Sequence, residues 1–377
     1  MDAYIIESRR TPIGRSHPEK GIFKDLRADE LLCALMKNMN EVLDAKFLDD
    51  IFIGCVGQHL EQGKNIARLS ALLAGYPAAV PAVTINRLCA SSLQALVSGS
   101  LTVEAGLGKV VLAGGVEHMH HVPMTQCLDY HPQLLQSFEF PFTHMGLTAE
   151  KVATTFDISR ESQDHYALES HRKAVTAIES GYFSAEIFPV DLPDNTTVDR
   201  DQSPRKGTSL EALNGLKPAF QEGGSVTAGN SSPLSDGASL CLLASLEGCN
   251  QFELRARARI LDATVVGVDP CLMGMGPVPA VKSLLQRQRL NVMDIDVFEI
   301  NEAFASQVLA CQRELEIPED RLNPCGGAIA LGHPLGCTGT RLITTLLSHM
   351  ERRDLGLGVV SMCIGHGQGM AVLIERM

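Results

Sequence analysis

The sequence predicts an α/β protein built from two similar halves, and three observations predict it. Short apolar strands recur. Asp50-Ile51-Phe52-Ile53-Gly54 has a counterpart in Asp296-Val297-Phe298-Glu299-Ile300, and Val110-Val111-Leu112-Ala113-Gly114 has one in Val359-Val360-Ser361-Met362-Cys363, at nearly equal offsets. A helix-period apolar stripe precedes the first strand of each pair: Leu31, Leu32, Leu35, Met36, Met39, Val42 and Leu43 in one half, Val281, Leu284 and Leu285 in the other. A small-residue segment and another helix precede the second strand in both. This order reads as duplicated α/β domains with mixed central sheets. Between the halves, residues 118–229 are rich in His, Pro and polar residues. They carry helical stretches at 146–152 and from Ser159, where Ser159-Arg160-Glu161-Ser162 comes close to a capping box. A stretch this long without regular strands reads as a domain covering a substrate, with a surface insertion as the plainer alternative.

At 377 residues the chain exceeds one typical core, which suits two or three domains. Hydrophobic residues at 45% and charged residues at 20% fit a globular enzyme. There is no apolar run long enough for a membrane span, and the start, Met1-Asp2-Ala3-Tyr4-Ile5-Ile6-Glu7, reads as a first strand and not a signal peptide. A net charge of −12 argues against nucleic acid as the main partner, though a local basic patch can still hold an anion. Eleven cysteines occur without a C-x-x-C pair. That excludes a disulfide framework or a zinc site as the natural reading and favours reduced thiols in the cytoplasm.

Four separated segments each set a reactive side chain among small or turn-forming residues. Cys89 follows the extended run Ala82-Val83-Thr84-Ile85 and precedes the helical run Leu93-Gln94-Ala95-Leu96-Val97. A thiol at a helix N-terminus meets the positive end of the macrodipole, so a thiolate nucleophile is expected; alone, a buried structural cysteine would be the default. His333 ends the Gly-rich stretch Gly326-Gly327-Ala328-Ile329-Ala330-Leu331-Gly332, and an imidazole there can take a proton and later donate to an oxyanion. Asn301 ends the apolar strand 297–300, with Glu302 after it as either an orienting carboxylate or a helix cap. Cys363 opens Cys363-Ile364-Gly365-His366-Gly367-Gln368-Gly369, whose glycines let backbone face a substrate. The G-x-G-x-G spacing is not the dinucleotide fingerprint, which disfavours a nicotinamide oxidoreductase. Nucleophile, imidazole, amide and second thiol together suit carbon–carbon chemistry on a thioester.

In this order the four segments resemble the thiolase family. The resemblance spans nearly the whole chain, through Gly114-Gly115-Val116-Glu117-His118-Met119, His144-Met145-Gly146-Leu147-Thr148-Ala149-Glu150, Lys217-Pro218-Ala219-Phe220, Thr227-Ala228-Gly229-Asn230-Ser231-Ser232 and Gly274-Met275-Gly276-Pro277. The stretch from Glu117 to Pro132 looks like the thiolase subunit of bacterial fatty-acid β-oxidation complexes. The resemblance implies a five-layered α-β-α-β-α arrangement with a loop domain. The boundaries expected are 1–117 for the first part of the N-terminal domain, 118–229 for the loop domain, 230–250 for a return strand and 251–377 for the C-terminal domain. It implies thiolysis of 3-ketoacyl-CoA, with Cys89 as nucleophile, His333 as base, Asn301 holding a water, Cys363 as acid/base and the N–H groups of Cys89 and Gly365 as an oxyanion hole. Coenzyme A is then a substrate and no cofactor or metal is needed. Arg205 would lie near the nucleotide, Ser232 along the pantetheine arm, Met145 against the acyl thioester and Ala228 among the CoA contacts; for Arg205 and Lys206 a solvated loop is the alternative. The expected partners are a second copy of the chain, as a homodimer or homotetramer, and a multifunctional hydratase–dehydrogenase subunit. Ala90 and Ser92 stand where the family commonly has Gly, Pro233 where it has Gly or Ala, and Arg87 where it has Asn or Gln. These departures bear on acyl-chain preference. His366, at a variable position beside the second thiol, is open between tuning and no role. Competing readings are an acetoacetyl-CoA thiolase working in condensation and a weakly catalytic scaffold subunit. Ketoacyl synthases are disfavoured by Asn301 where they place a histidine.

Overall fold

The computed structural model describes residues 2–126 and 128–377, so Met1 and Cys127 lie outside the described residues. Its strands are β1 (Ala3–Arg10), β2 (Gly14–Arg15), β3 (Asp50–Gly54), β4 (Val83–Ile85), β5 (Val110–His118), β6 (Val190–Asp191), β7 (Thr197–Val198), β8 (Ser235–Ala244), β9 (Ala258–Gly267), β10 (Val297–Ile300), β11 (Leu357–Ile364) and β12 (Gln368–Arg376).

The repeat seen in the sequence is a repeat of topology. In the first half β3 runs parallel to β5, β5 antiparallel to β8, and β8 antiparallel to β1. In the second half β10 runs parallel to β11, β11 antiparallel to β12, and β12 antiparallel to β9. Even the outermost position is matched: β4 pairs in parallel with β3, and a parallel bridge from Phe298 to Leu322 takes the same place beside β10. The two sheets meet where β1 pairs antiparallel with β9 through Ala3, Tyr4 and Ile5.

Alternation along the strands builds the layers, because successive side chains leave opposite faces of a sheet. Val110, Leu112 and Val116 of β5 pack outward with Leu31, Leu35 and Met36 of the helix Ala28–Val42. Val111 and Ala113 pack inward with Leu93 and Leu96 of the helix Ser91–Glu104. In the second half Met370 and Val372 join that inner cluster with Leu342 and Leu346 of the helix Leu335–Arg353, while Ala371 and Leu373 turn outward to Val281 and Leu284 of the helix Pro277–Gln288. Two outer helical layers, two sheets and a shared inner helical layer result.

The region between the halves departs from expectation in one respect. It holds the helices Met145–Thr155 and Arg160–Glu179, as the sequence indicated, but it also has a small hairpin of β6 and β7, and β5 runs on to His118. No described helix is long and apolar enough to cross a membrane.

Candidate active site

The site forms where the two inner helices begin. Their N-terminal turns touch: the Thr340 backbone N–H donates to Ser92 Oγ at 3.1 Å, and a side chain at Gly339 would collide with Leu93. Cys89 precedes one helix and His333 the other, so the contact brings two distant segments to one place.

A strained turn presents Cys89. Leu88 holds φ of 48°, a left-handed conformation rare for a branched residue. Ser91 clamps the turn, accepting from the Arg87 backbone N–H at 2.9 Å and donating to the Leu88 carbonyl at 2.6 Å. Arg87 donates to Gln368 Oε1 at 3.2 Å, tying this turn to β12 of the other half. The backbone N–H groups of Gly365 and of Cys89 itself favour the charged form of the Cys89 thiol. Burial works against the expected thiolate: it pushes the Cys89 thiol above its ordinary value and outweighs those two donors.

Cys363 lies near the end of β11, buried, and its thiol is raised well above the ordinary value by burial, then by the neighbouring Cys89 and Cys311 sulfurs. It packs with Met145, Ala303 and Phe304. A side chain at Gly365 would touch Leu88 at 3.4 Å and Met145 Sδ at 3.5 Å, so these residues surround the turn. The three glycines after Cys363 differ in purpose. Gly367 has the left-handed φ of 85°, and Gly369 lies against the Gly276 backbone; neither serves the substrate face as the sequence suggested for all three.

Asn301 and His333 form the opposite wall. Asn301 Nδ2 lies 3.4 Å from His333 Nε2, and both residues are buried. Thr338 Oγ1 donates to the Pro334 carbonyl at 2.9 Å and so accepts from His333 Nδ1–H at 2.7 Å. That leaves Nε2 as the bare acceptor. Burial, aided by the positive charge of Arg341, pushes His333 down to about 3, so the imidazole is neutral and Nε2 carries no proton. Ser235 accepts the His333 backbone N–H at 3.2 Å. Gly332 makes that placement possible: its φ is 112°, and a Cβ there would lie 2.4 Å from Ser235 Oγ.

Glu302 does not cap the helix Ala305–Leu315 that follows it. Its carboxylate accepts from Tyr166 Oη (2.9 Å), Asn323 Nδ2 (3.0 Å), Ser170 Oγ (2.7 Å) and the Ile329 backbone N–H (3.1 Å). It therefore ties the helix Arg160–Glu179 to the loop that ends in His333. Glu117 does similar work on the other side, accepting the backbone N–H groups of Val56, Gly57 and Gly336. Leu88, Glu117, Ser235, Asn323 and Thr338 escaped sequence reasoning. Of these only Thr338 carried a signal, a hydroxyl one helical turn after Pro334.

The remaining candidates divide. Ser232 donates its backbone N–H to the Ala303 carbonyl at 3.0 Å, directly beside the Asn301 segment. Ala228 is exposed on the loop leading to it. Arg205 is exposed too; its backbone N–H donates to His171 Nδ1, and its guanidinium has no partner among the described residues. Lys206 is paired with Glu179 at 2.7 Å, which fits a solvated loop. A cleft of about 520 Å³ runs past Tyr166, Lys173 and Glu302, but Cys89, Asn301, His333 and Cys363 do not line it. Elsewhere Glu61, His118 and His121 gather with candidate ligand atoms within 4.8 Å. All four ring nitrogens there already meet protein groups, and the two rings are stacked 3.9 Å apart, so their in-plane lone pairs cannot converge on one ion.

Comparison with known proteins agrees with this geometry. Residues 3–247 match the family model described as thiolase, N-terminal domain, and residues 254–376 match thiolase, C-terminal domain. Similar proteins include the 3-ketoacyl-CoA thiolase of Serratia proteamaculans, 50% identical over 99% of this chain and 98% of its own, and that of Aliivibrio fischeri, 48% identical over the same shares. Among solved structures, human mitochondrial 3-ketoacyl-CoA thiolase matches with a TM-score of 0.91 at 36% identity, and Bacillus anthracis acetyl-CoA acetyltransferase with 0.91 at 37%, each over 100% of this chain and 99% of its own.

Proposed function

Because the chain belongs to the thiolase family, we propose that it is an acyltransferase that cleaves 3-ketoacyl-CoA with CoA, giving acetyl-CoA and an acyl-CoA shorter by two carbons, as in fatty-acid β-oxidation. His333 Nε2 takes the Cys89 proton, and the thiolate attacks C3 of the substrate. The new alkoxide sits between the N–H groups of Cys89 and Gly365. Collapse breaks C2–C3 and leaves an acyl-Cys89 thioester and the enolate of acetyl-CoA. His333, now carrying Nε2–H, and a water held by Asn301 stabilise the enolate oxygen, and Cys363 protonates C2. Incoming CoA gives its proton to Cys363 and attacks the thioester; Cys89 departs and recovers its proton from His333.

One observation carries this reading: Asn301 Nδ2 lies 3.4 Å from His333 Nε2, just before an inner helix whose Thr340 N–H bonds Ser92 beside Cys89. CoA acts here as substrate, with no cofactor. Its nucleotide falls to the open guanidinium of Arg205, its pantetheine arm to Ser232 and Ala228, and its thioester to Met145, with residues 118–229 as cover. The free, reduced state of the ten described cysteines supports a cytoplasmic setting. The outer edge of β4 supports pairing with a second copy, since it is unpaired and flanked by exposed Val83, Leu69, Leu72 and Leu73. A hydratase–dehydrogenase subunit is the further partner we propose.

The test is thiolysis of 3-ketoacyl-CoAs from C4 to C16, with and without that partner. Turnover across the longer chains is expected. Turnover of acetoacetyl-CoA alone would favour the condensing enzyme, and none at all would leave a scaffold.

A further inference from the structure

His366 sits on the turn between β11 and β12, one residue beyond Gly365, with a left-handed φ of 63°. Two side chains from the middle of the chain grip it. Tyr130 Oη lies 3.1 Å from His366 Nε2, with the two rings edge to face at 5.7 Å and 88°. Phe142 meets the other side of the imidazole at 5.9 Å and 74°, and is itself backed by Phe138 at 4.5 Å. The rest of this segment has little else to hold it. Between Val122 and Phe142 no described residue is buried, and the short helix Pro132–Gln136 buries none of its side chains. Three residues after Phe142, Met145 reaches Gly365 from the same direction.

We infer that Tyr130, Phe142 and His366 form a clasp that seats residues 128–142 as the wall for the acyl chain beyond C4, making His366 a specificity-determining residue. The inference rests on the reaction proposed above. In that reaction C3 has four directions: sulfur of Cys89, oxygen toward the N–H groups of Cys89 and Gly365, C2 toward Asn301 and His333, and the alkyl remainder. The first three are taken, which leaves the alkyl chain the side of Leu88 and the His366 turn. A short ketoacyl group ends before this wall; a long one must lie along it. Burial lowers His366 from its ordinary value, so it is neutral near pH 7 and Nε2 can accept from the tyrosine hydroxyl.

The experiment compares thiolysis of C4 and C12 3-ketoacyl-CoA by the full-length protein and by Tyr130→Phe, His366→Leu and the double variant. Tyr130→Phe deletes one oxygen at a half-buried site and leaves the ring to pack. The C12-to-C4 ratio of kcat/KM is expected to fall about tenfold in Tyr130→Phe, the loss of one hydrogen bond, with the double variant little worse than His366→Leu because the two residues act together. Limited proteolysis should cut within 128–142 faster in each variant, and a long-chain acyl-CoA should protect the unaltered protein better than acetyl-CoA does. An unchanged ratio, or equal losses at C4 and C12, overturns the inference. Failure of the unaltered protein to cleave either substrate would instead overturn the reaction, so the two failures are distinct.

Discussion

Replacing Glu302 with Gln tests whether the base is held from behind. The carboxylate oxygens each accept two hydrogen bonds: Oε1 from Tyr166 and Asn323, Oε2 from Ser170 and the Ile329 backbone. Glutamine keeps the shape and fills the same space, so no cavity arises. It replaces one acceptor with an NH2 group that must face donors. If the amide nitrogen takes the Oε2 position it confronts the Ile329 N–H, which cannot turn away. At the Oε1 position it confronts the Asn323 amide, whose own oxygen is committed to the Ile300 N–H at 2.9 Å. Either way at least one buried donor is orphaned, which costs about 1–3 kcal/mol, and the surviving bonds lose their charge assistance. A total of roughly 2–4 kcal/mol should lower Tm by several degrees. Ile329 belongs to the short helix Ala328–Leu331 that delivers Gly332 and His333, so the displacement reaches Nε2. A misplacement of about 1 Å can cost on the order of 100-fold in rate, and we expect kcat to fall by at least tenfold. Thermal melting and steady-state thiolysis measure both effects. A Glu302→Gln protein that melts within a degree of the parent and turns over within twofold of it would refute the reasoning. Alanine at this position orphans all four donors, at a cost on the scale of total stability, and should not yield folded protein.

The remaining predictions concern the groups facing the substrate. Cys89→Ser should lose at least about 1,000-fold in thiolysis, and a near-normal rate would remove Cys89 from the mechanism. Asn301→Ala should cost on the order of 100- to 1,000-fold in kcat while the protein stays folded; a loss confined to KM would contradict the oxyanion role. In the proposed reaction His333 works unprotonated, and burial pushes it down to about 3, so kcat/KM should show no limb near 6.5 between pH 5.5 and 8. The same depression affects stability with a definite sign. Below pH 6.5 the unfolded imidazole takes a proton that the native one refuses until about 3, so this contribution is lost as pH falls, by up to about 1.4 kcal/mol per pH unit. A limb at 6.5 that disappears in His333→Gln would show the base to be unperturbed. Gly332→Ala must bear a φ of 112° and a contact with Ser235, and should cost on the order of 1–3 kcal/mol or more in urea titrations; unchanged stability would mean that the loop rearranges freely.

Elements visible in the sequence were those whose physics is local or periodic. β3, β10, β5 and β11 were legible because both of their faces are buried, which makes them short and almost wholly apolar. Helix Ala28–Val42 was legible because one face is buried and the other is not. Cys89 and His333 stood out because a turn of small residues precedes or follows each. What stayed hidden depends on residues far apart in sequence. Glu117 and Glu302 look like ordinary acids until their donors, spread over widely separated segments, are known. Leu88's residue type gives no sign of its left-handed backbone; the Ser91 hydroxyl clamps the turn and the Arg87–Gln368 contact anchors it to the other half. The opposing effects on the Cys89 thiol divide in the same way. The helix start is local and legible, whereas the depth at which the thiol lies is set by the whole fold.

The balance at Cys89 bears on how the two thiols share one site. Burial raises both, and Cys363 is raised further by the prospect of charge on Cys89, as expected of two like groups that cannot both ionise in a poorly solvated space. His333, pushed the other way, is neutral as well. The resting site therefore holds no charge on its three proton carriers, which keeps the nucleophile from standing as an exposed thiolate. On the proposed reaction order this coupling also sets the sequence of events. While Cys89 can become thiolate, Cys363 is held as a firm thiol. Once Cys89 is acylated its sulfur can no longer carry charge, and that part of the penalty on Cys363 disappears. Cys363 becomes the stronger acid when the enolate needs a proton, and its thiolate is tolerated when CoA must lose one. The proximity of the two sulfurs thus does more than place an acid near a leaving group, because bond formation at one of them shifts the proton affinity of the other.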